Sequence, residues 1–154
     1  MALNKRIENV EDLLIDLLGY WKKKLKVPDF VIVVKCITDS DSEAYVYKTR
    51  KGIVYCVIDP KKFVEQRNDA HDYIAAIFHE LGHIKTGSFY SAKLSKEEAE
   101  FRAESQALKW LKKYLPKRYN EQVKRFKEIL KNRPWTGAES HYTRAFKRIK
   151  DYND

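Results

Sequence analysis

The chain has 154 residues, 44% hydrophobic and 13% aromatic, which suits one domain that can bury its own core and need not be disordered. Two cysteines, Cys36 and Cys56, are too few for a disulfide framework, and we expect both to be reduced residues of the core. No segment has the length of a membrane span and no secretory signal is evident, so we expect a cytoplasmic protein that makes no membrane contact.

The net charge of +9 is unevenly distributed along the chain. Residues 1–104 contain 17 Lys and Arg against 17 Asp and Glu, whereas residues 105–154 contain 14 against 5. A basic C-terminal region on a neutral body predicts an anionic partner, either nucleic acid or an acidic protein surface. A solvated, solubilising surface is an equally good interpretation, because runs of charge are weak motifs.

The first part of the chain predicts a helix followed by three strands. Apolar residues recur at three- and four-residue steps over 8–25, as on one face of a helix. Apolar, β-branched or alternating runs then predict strands. They lie at 31–37, 43–48 and 53–58, and Gly52 is placed for a hairpin turn between the last two. We expect a three-stranded, mainly antiparallel sheet.

The rest of the chain predicts only helices. Asn68 or Asp69 can cap a helix over 70–86, and Ser95 opens a capping box for a helix that runs to about residue 114. Amphipathic segments follow at 118–132, and then, beyond a break at 132–137, in a short last helix from residue 141.

No linker or repeat divides the sequence. The elements predict an α+β domain over residues 1–115 and a basic helical extension over residues 116–154. An apolar stripe in the first helix of the extension indicates that the extension packs on the same domain.

The pentapeptide HELGH at residues 79–83 is the most informative motif, and it lies inside the helix predicted over 70–86. Residues four apart share a helix face, so His79 and His83 can direct two imidazoles at one point. Imidazole is a common zinc ligand, and a catalytic zinc usually has three protein ligands and a water. Glu80 can take a proton from that water as general base. The motif predicts a zinc-dependent hydrolase, and a peptidase in particular.

The third zinc ligand has to come from an element that faces this helix, and the next predicted helix begins with four glutamates. Glu97 and Glu98 lie in its first turn, where they suit the helix dipole and the capping box. Glu100 and Glu104 share a face with two alanines, which let helices approach closely. We assign Glu100 as third ligand and Glu104 as hydrogen-bond partner of a ligating histidine. Ordinary exposed helix glutamates are the alternative for both.

Two motifs together, HELGH at 79–83 and EFRAESQA at 100–107, resemble the glutamate-zincin pattern. In that group the third ligand begins the signature E-x-x-A-(D/N/E)-x-x-A on the following helix. The order of elements is similar to that of ImmA/IrrE-type metallopeptidases and of related phage and archaeal peptidases. The second motif also resembles the HtpX-like membrane peptidases, but those carry membrane spans that are not evident here.

This resemblance implies a small zincin-like domain over about residues 8–110 and does not extend to the C-terminal region. It also implies that a peptide substrate adds to an exposed sheet edge, at 43–48 or 53–58. The positions that match the family's motif are the zinc ligands His79, His83 and Glu100, the base Glu80, and Glu104 after the alanine.

The predicted function is therefore that of an intracellular zinc metallopeptidase with a protein or peptide substrate. The alternative is a zinc-containing nucleic-acid- or protein-binding module without turnover, which uses the basic C-terminal region; such a module needs no base like Glu80.

The sequence does not identify the side chain that would stabilise the oxyanion, and four residues are candidates. They are His71, Tyr90, His141 and Tyr142. For the last two, a structural role is the better expectation, and for His71 a position facing solvent.

Overall fold

The computed structural model of the protein describes residues 2–67, 70–132 and 140–153, apart from the side chains of residues 70–72. These residues form an α+β arrangement of seven helices and one three-stranded mixed sheet. In chain order the elements are α1 (Ala2–Lys24), β1 (Val31–Val34), β2 (Ala44–Lys48), β3 (Val54–Ile58), α2 (Pro60–Gln66), α3 (Ala70–Thr86), α4 (Lys96–Tyr114), α5 (Pro116–Asn132), α6 (His141–Lys147) and α7 (Lys150–Asn153). None of the helices in these parts of the chain combines the length and the apolar character that crossing a membrane requires.

The sheet has the strand order β1-β3-β2 and contains one parallel and one antiparallel pair. The β2–β3 hairpin turns at Gly52, which has a φ of 88°. Glycine adopts such a positive φ without steric cost because it has no Cβ atom. β1 lies on the other side of β3 and runs parallel to it. The prediction of a mainly antiparallel sheet is wrong for β1, because residues 35–43 form a long connection rather than a tight turn.

One face of the sheet packs on α1 and α3 to form the core. Cys56 of β3 and Leu14 of α1 are completely buried there, and the ring of Trp21 meets that of Phe78 edge to face at 4.8 Å. Cys36, in contrast to the prediction, is exposed.

A short helix between β3 and α3 was not predicted from the sequence. Pro60, two residues after the end of β3, is the first residue of α2, where its missing N–H costs nothing. The Asp59 carboxylate caps this helix by accepting a hydrogen bond from the Lys62 amide, and it also accepts one from the Ile37 amide. Asn68 and Asp69, the expected caps of α3, lie outside the described residues.

The C-terminal helices pack on the body of the protein. No residue of α5 is fully buried, but Val123 and Phe126 are among its apolar residues that contact the core. Ile149 and Tyr152 are buried in that core. Most of the break predicted at 132–137 lies outside the described residues. The described part of the extension is therefore continuous with the core in its packing.

Candidate metal centre

The face of α3 that carries His79 and His83 is turned toward α4. The opposite face holds the helix against the sheet and α1 through apolar residues that are almost completely buried, among them Phe78 and Leu81. Because the two histidines are four residues apart, their rings lie together, with centroids 4.9 Å apart. The helix bounds agree with the predicted 70–86.

Small residues bring α4 against this face. Ala99, Ala103 and Ala107 are completely buried, and Gly82, between the two histidines, lies directly against the backbone of Ala103. Ser95 caps α4 as predicted by accepting a hydrogen bond from the Glu98 amide at 3.1 Å. The close contact of the two helices places Glu100 opposite the histidine pair.

Glu100 meets both histidines through their Nε2 atoms. Its Oε2 lies 2.6 Å from Nε2 of His79, and its Oε1 lies 3.2 Å from Nε2 of His83. Ligand atoms of the three residues all lie within 4.8 Å of one another. In a tetrahedral zinc site with bonds of 2.0–2.1 Å, ligand atoms are about 3.3 Å apart. The Glu100–His79 contact is shorter than this spacing and the Glu100–His83 contact is close to it, so that a slight separation of Glu100 from His79 would let the cluster bind a metal ion.

The outer nitrogens of the two imidazoles also have neighbours. Nδ1 of His83 donates to the carbonyl oxygen of Ser88 at 2.7 Å, so that Nε2 is the nitrogen left to bind a metal. Nδ1 of His79 lies 3.7 Å from a carboxylate oxygen of Glu104, and that carboxylate also lies near the hydroxyl of Tyr152 of α7. The structure thus places Glu104 beside the outer nitrogen of His79, and it adds Ser88, which local sequence patterns do not indicate.

Electrostatics in this cluster favour charged forms in the absence of metal. Burial disfavours the imidazolium of His79, but the carboxylates of Glu100 and Glu104 outweigh it and raise its pKa well above the usual value. Burial likewise favours a neutral Glu100, but the two histidines outweigh it and lower its pKa. The buried imidazole of His79 and the carboxylate of Glu100 thus stabilise each other's charged forms.

The side chain of Glu80 lies beside His83 and Glu100, and one of its carboxylate oxygens forms no hydrogen bond with the described residues. Its Oε2 is buried and has no hydrogen-bond partner among the described residues. Burial is the main cause of the raised pKa of this carboxyl group, with His79 and His83 opposing the shift. A buried carboxylate oxygen without a partner is costly, and an ordered water or ion is the usual explanation in a native protein. Glu80 thus brings a carboxylate oxygen without a partner among the described residues to the side of the cluster.

A cleft of about 710 Å³ opens beside the centre. One wall is formed by strand β2, which lies at the edge of the sheet. Glu80, His83 and Glu100 lie at its base. Its volume is within the range of typical ligand-binding pockets, roughly 300–1,000 Å³.

Three of the four residues left open for oxyanion stabilisation line this cleft: Tyr90, His141 and Tyr142. The hydroxyl of Tyr90 donates to Oε1 of Glu100 at 2.6 Å and lies 3.1 Å from Nε2 of His141. A structural role was the expectation for His141 and Tyr142, but the structure brings both to the cleft. The side chain of His71 lies outside the described residues.

Glu97 and Glu98, the other glutamates considered as ligands, lie away from the cluster. They form ion pairs with Arg144 and Arg148 of the α6 region. Of the four glutamates at the start of α4, Glu100 is thus the one whose carboxylate contacts both histidines.

The geometry defines a candidate metal centre of His79, His83 and Glu100, with Glu80 at its side. Comparison of the chain with protein-family models, with curated proteins and with solved structures gave no match.

Proposed function

We propose that the protein is a zinc-dependent metallopeptidase that cleaves peptide bonds by hydrolysis. One observation supports this most strongly: a His-His-Glu cluster with the spacing of a metal site lies next to a buried carboxylate oxygen, Oε2 of Glu80, that has no partner among the described residues. A purely structural metal site needs no such carboxylate. The combination is typical of a centre that activates water.

His79, His83 and Glu100 would hold the metal, and two imidazoles with one carboxylate favour zinc among the common divalent ions. When bound, zinc supplies a Lewis acid and lowers the pKa of a coordinated water to about 7. The hydrogen bond from Nδ1 of His83 to the Ser88 carbonyl oxygen orients the ring so that Nε2 faces Glu100 and is the nitrogen that a metal would bind.

Glu80 performs the proton transfers. It accepts a proton as the water oxygen attacks the carbonyl carbon of the peptide. When the carbon–nitrogen bond breaks, the same carboxyl group delivers that proton to the leaving nitrogen. One water is consumed, and the products are a new C-terminal carboxylate and a new N-terminal amine. The burial that raises the pKa of Glu80 makes it a stronger base for this task.

The substrate would be an extended chain that binds along the outer edge of β2. Of the two segments considered, residues 43–48 correspond to this strand, whereas β3 lies in the centre of the sheet. β2 has no partner strand on its outer side among the described residues, and it forms a wall of the cleft. Backbone groups of such an edge can pair with any peptide, so they contribute affinity, and the cleft side chains contribute selectivity.

The test is hydrolysis of a peptide library by metal-free protein before and after addition of one equivalent of zinc, with the products identified by mass spectrometry. We expect cleavage only with zinc. Glu80→Gln should retain zinc and lose about 10³-fold in rate, because general base catalysis is typically worth that much. Glu65→Gln, an exposed change on α2, is the matched control and should cleave at the wild-type rate.

Absence of cleavage by the zinc-loaded wild type would overturn the proposal and favour the alternative, a zinc-containing binding module without turnover. In that alternative the basic C-terminal region would bind nucleic acid or an acidic protein.

Cleavage by Glu80→Gln at the wild-type rate would show that Glu80 is not the general base.

A further inference from the structure

The metal centre lies where two cavities meet. Besides the cleft of about 710 Å³, a second cavity of about 230 Å³ lies on the side of His79 and Glu104. Glu80 and Tyr142 line both cavities, together with the loop before β2. A peptide that extends from one cavity into the other therefore passes these two side chains, and its scissile bond would lie between them.

The phenol groups at this junction differ in what they can donate. A neutral phenol has one proton, and that of Tyr90 is used in the hydrogen bond to Glu100. The hydroxyl of Tyr142 is a hydrogen-bond neighbour of that of Tyr90. No carboxylate accepts a hydrogen bond from it in the part of the chain that the structure describes, so its proton is not committed to a charged acceptor. Burial and the charge of Glu100 raise the pKa of Tyr142, so its hydroxyl is protonated at neutral pH.

We propose that Tyr142 is a catalytic residue, whose hydroxyl donates a hydrogen bond to the substrate carbonyl oxygen as that oxygen becomes negatively charged. The inference rests on the proposed peptidase function and adds a residue from the C-terminal region to it. The donor acts without a change in its own bonding: its proton stays on the phenol oxygen while the carbonyl oxygen gains charge and loses it again. Such a donor stabilises the transition state more than the substrate.

Helix α6, which carries Tyr142, is fixed to α4, the helix that carries Glu100. Arg148 contacts Glu97 and Glu98 at the start of α4 at 3.0 and 2.8 Å, and its guanidinium lies 4.2 Å from the centre of the Phe101 ring. Tyr142 and Glu100 therefore belong to one packed unit. The C-terminal region, which the sequence presents as a basic extension, supplies part of the active site.

The first experiment compares the full-length zinc protein with Tyr142→Phe, using the best-cleaved peptide of the library. Loss of one oxyanion donor should lower kcat by about 10²-fold with little change in KM. Tyr20→Phe on α1 is the matched control, because Tyr20 is exposed and lines neither cavity. Its kcat should equal that of the wild type.

A second measurement does not depend on turnover. The protein is loaded with Co²⁺, and acetohydroxamate is titrated while the visible absorption of the cobalt is followed. The hydroxamate oxygens accept hydrogen bonds as the oxyanion would, so Tyr142→Phe should bind the probe about tenfold more weakly. Tyr20→Phe should bind it as the wild type does, and all three proteins should retain the metal equally.

Equal kcat and equal acetohydroxamate affinity in the wild type and Tyr142→Phe would overturn the inference while the peptidase function stands. A wild type that cleaves no peptide would overturn both together. Loss of metal from Tyr142→Phe would also contradict it, since it would show that Tyr142 supports the ligands rather than the transition state. Because Tyr142 is 38% exposed, phenylalanine can replace it without leaving a cavity.

Discussion

Gly82 lies so close to the backbone of Ala103 that an added Cβ atom would overlap its carbonyl oxygen and lie 3.1 Å from its carbonyl carbon. Gly82 is flanked on α3 by the two histidines, and Ala103 stands between the two glutamates on α4. This backbone contact sets the distance between Glu100 and the histidine pair. The glycine of the HELGH motif thus has a packing role as well as a place between the two histidines.

Gly82→Ala should therefore separate the two helices and weaken zinc binding. Alanine favours a helix by about 1 kcal/mol over glycine, but overpacking costs about 1–3 kcal/mol, so the free energy of unfolding should fall. Zinc affinity, measured against a competing chelator, should fall at least about tenfold, since misplaced partners of a metal ligand have that effect.

Gly19→Ala on α1 is the matched control for this change. Nothing lies within 4 Å of a Cβ atom built at Gly19, so this variant should gain about 0.5–1 kcal/mol of stability and leave zinc affinity unchanged. If both glycine variants gain stability equally, the helix contact does not set the geometry of the site.

Glu100→Ala should lower zinc affinity far more than Glu97→Ala. Glu100 contacts both histidines, whereas Glu97 pairs with arginines of the C-terminal helices and lies away from them. We expect a loss of more than about 100-fold for Glu100→Ala, beyond the 10–100-fold typical of residues that only support a ligand. Isothermal titration with zinc measures both. Equal losses would show that Glu100 is not a ligand.

Glu104→Gln tests whether Glu104 orients the imidazole of His79. Its carboxylate lies 3.7 Å from Nδ1 of that histidine, close enough to orient the ring when the metal is bound. Glutamine keeps the shape and removes the charge, and zinc affinity should fall about tenfold. Glu128→Gln on α5 lies outside this environment and is the control. An unchanged affinity in Glu104→Gln would leave Glu104 with a packing role only.

Much of the site could be predicted because its signals are local. The bounds of α3, the Ser95 cap of α4 and the facing of His79 and His83 follow from helical spacing and capping chemistry. The choice of Glu100 followed from its neighbours on one helix face, and the structure brings it to the histidines.

The structural features that the sequence did not predict depend on contacts between segments far apart in the chain. The parallel pairing of β1 is decided by how a long connection crosses the sheet, which no turn motif records. α2 is a short helix capped by Asp59, whose carboxylate also accepts a hydrogen bond from the amide of Ile37, 22 positions away. Tyr142 reaches the cleft because α6 docks on α4, and the charge pattern of the C-terminal region gave no sign of this.

The stability of the metal-free protein should depend on pH through His79 and Glu100. The pKa of His79 is raised from 6.5, so its contribution is complete below pH 6.5 and is lost as the pH rises through the folded-state value. The pKa of Glu100 is lowered from 4.5, so its contribution is present above pH 4.5 and is lost as the pH falls through its folded-state value. The pair therefore stabilises the fold most between pH 4.5 and 6.5.

Urea unfolding in the presence of a chelator, at pH 5.5 and at pH 9, measures this dependence. The free energy of unfolding should fall with rising pH more steeply for the wild type than for His79→Gln. Zinc should reverse the trend, because its ligands must lose their protons, so the stabilisation by zinc grows with pH. Parallel pH profiles for the two proteins would contradict the pairing of His79 with Glu100.

Arg148→Gln should impair catalysis without affecting zinc binding. The arginine holds α6 against the start of α4 through Glu97 and Glu98, at positions that are partly exposed. Exposed ion pairs are worth up to about 1 kcal/mol, so we expect kcat to fall by no more than about fivefold as Tyr142 moves. High salt screens the same pairs and should lower the kcat of the wild type toward that of the variant.

Lys150→Gln is the matched control for this change, because it removes one exposed positive charge from α7, where the structure shows no pairing with Glu97 or Glu98. Its kcat should match that of the wild type at every salt concentration. If both variants lose activity equally, net charge rather than the docking of α6 governs the rate. If Arg148→Gln loses zinc, the ion pairs support the ligands directly, and the C-terminal helices act on the metal centre through α4 rather than through Tyr142.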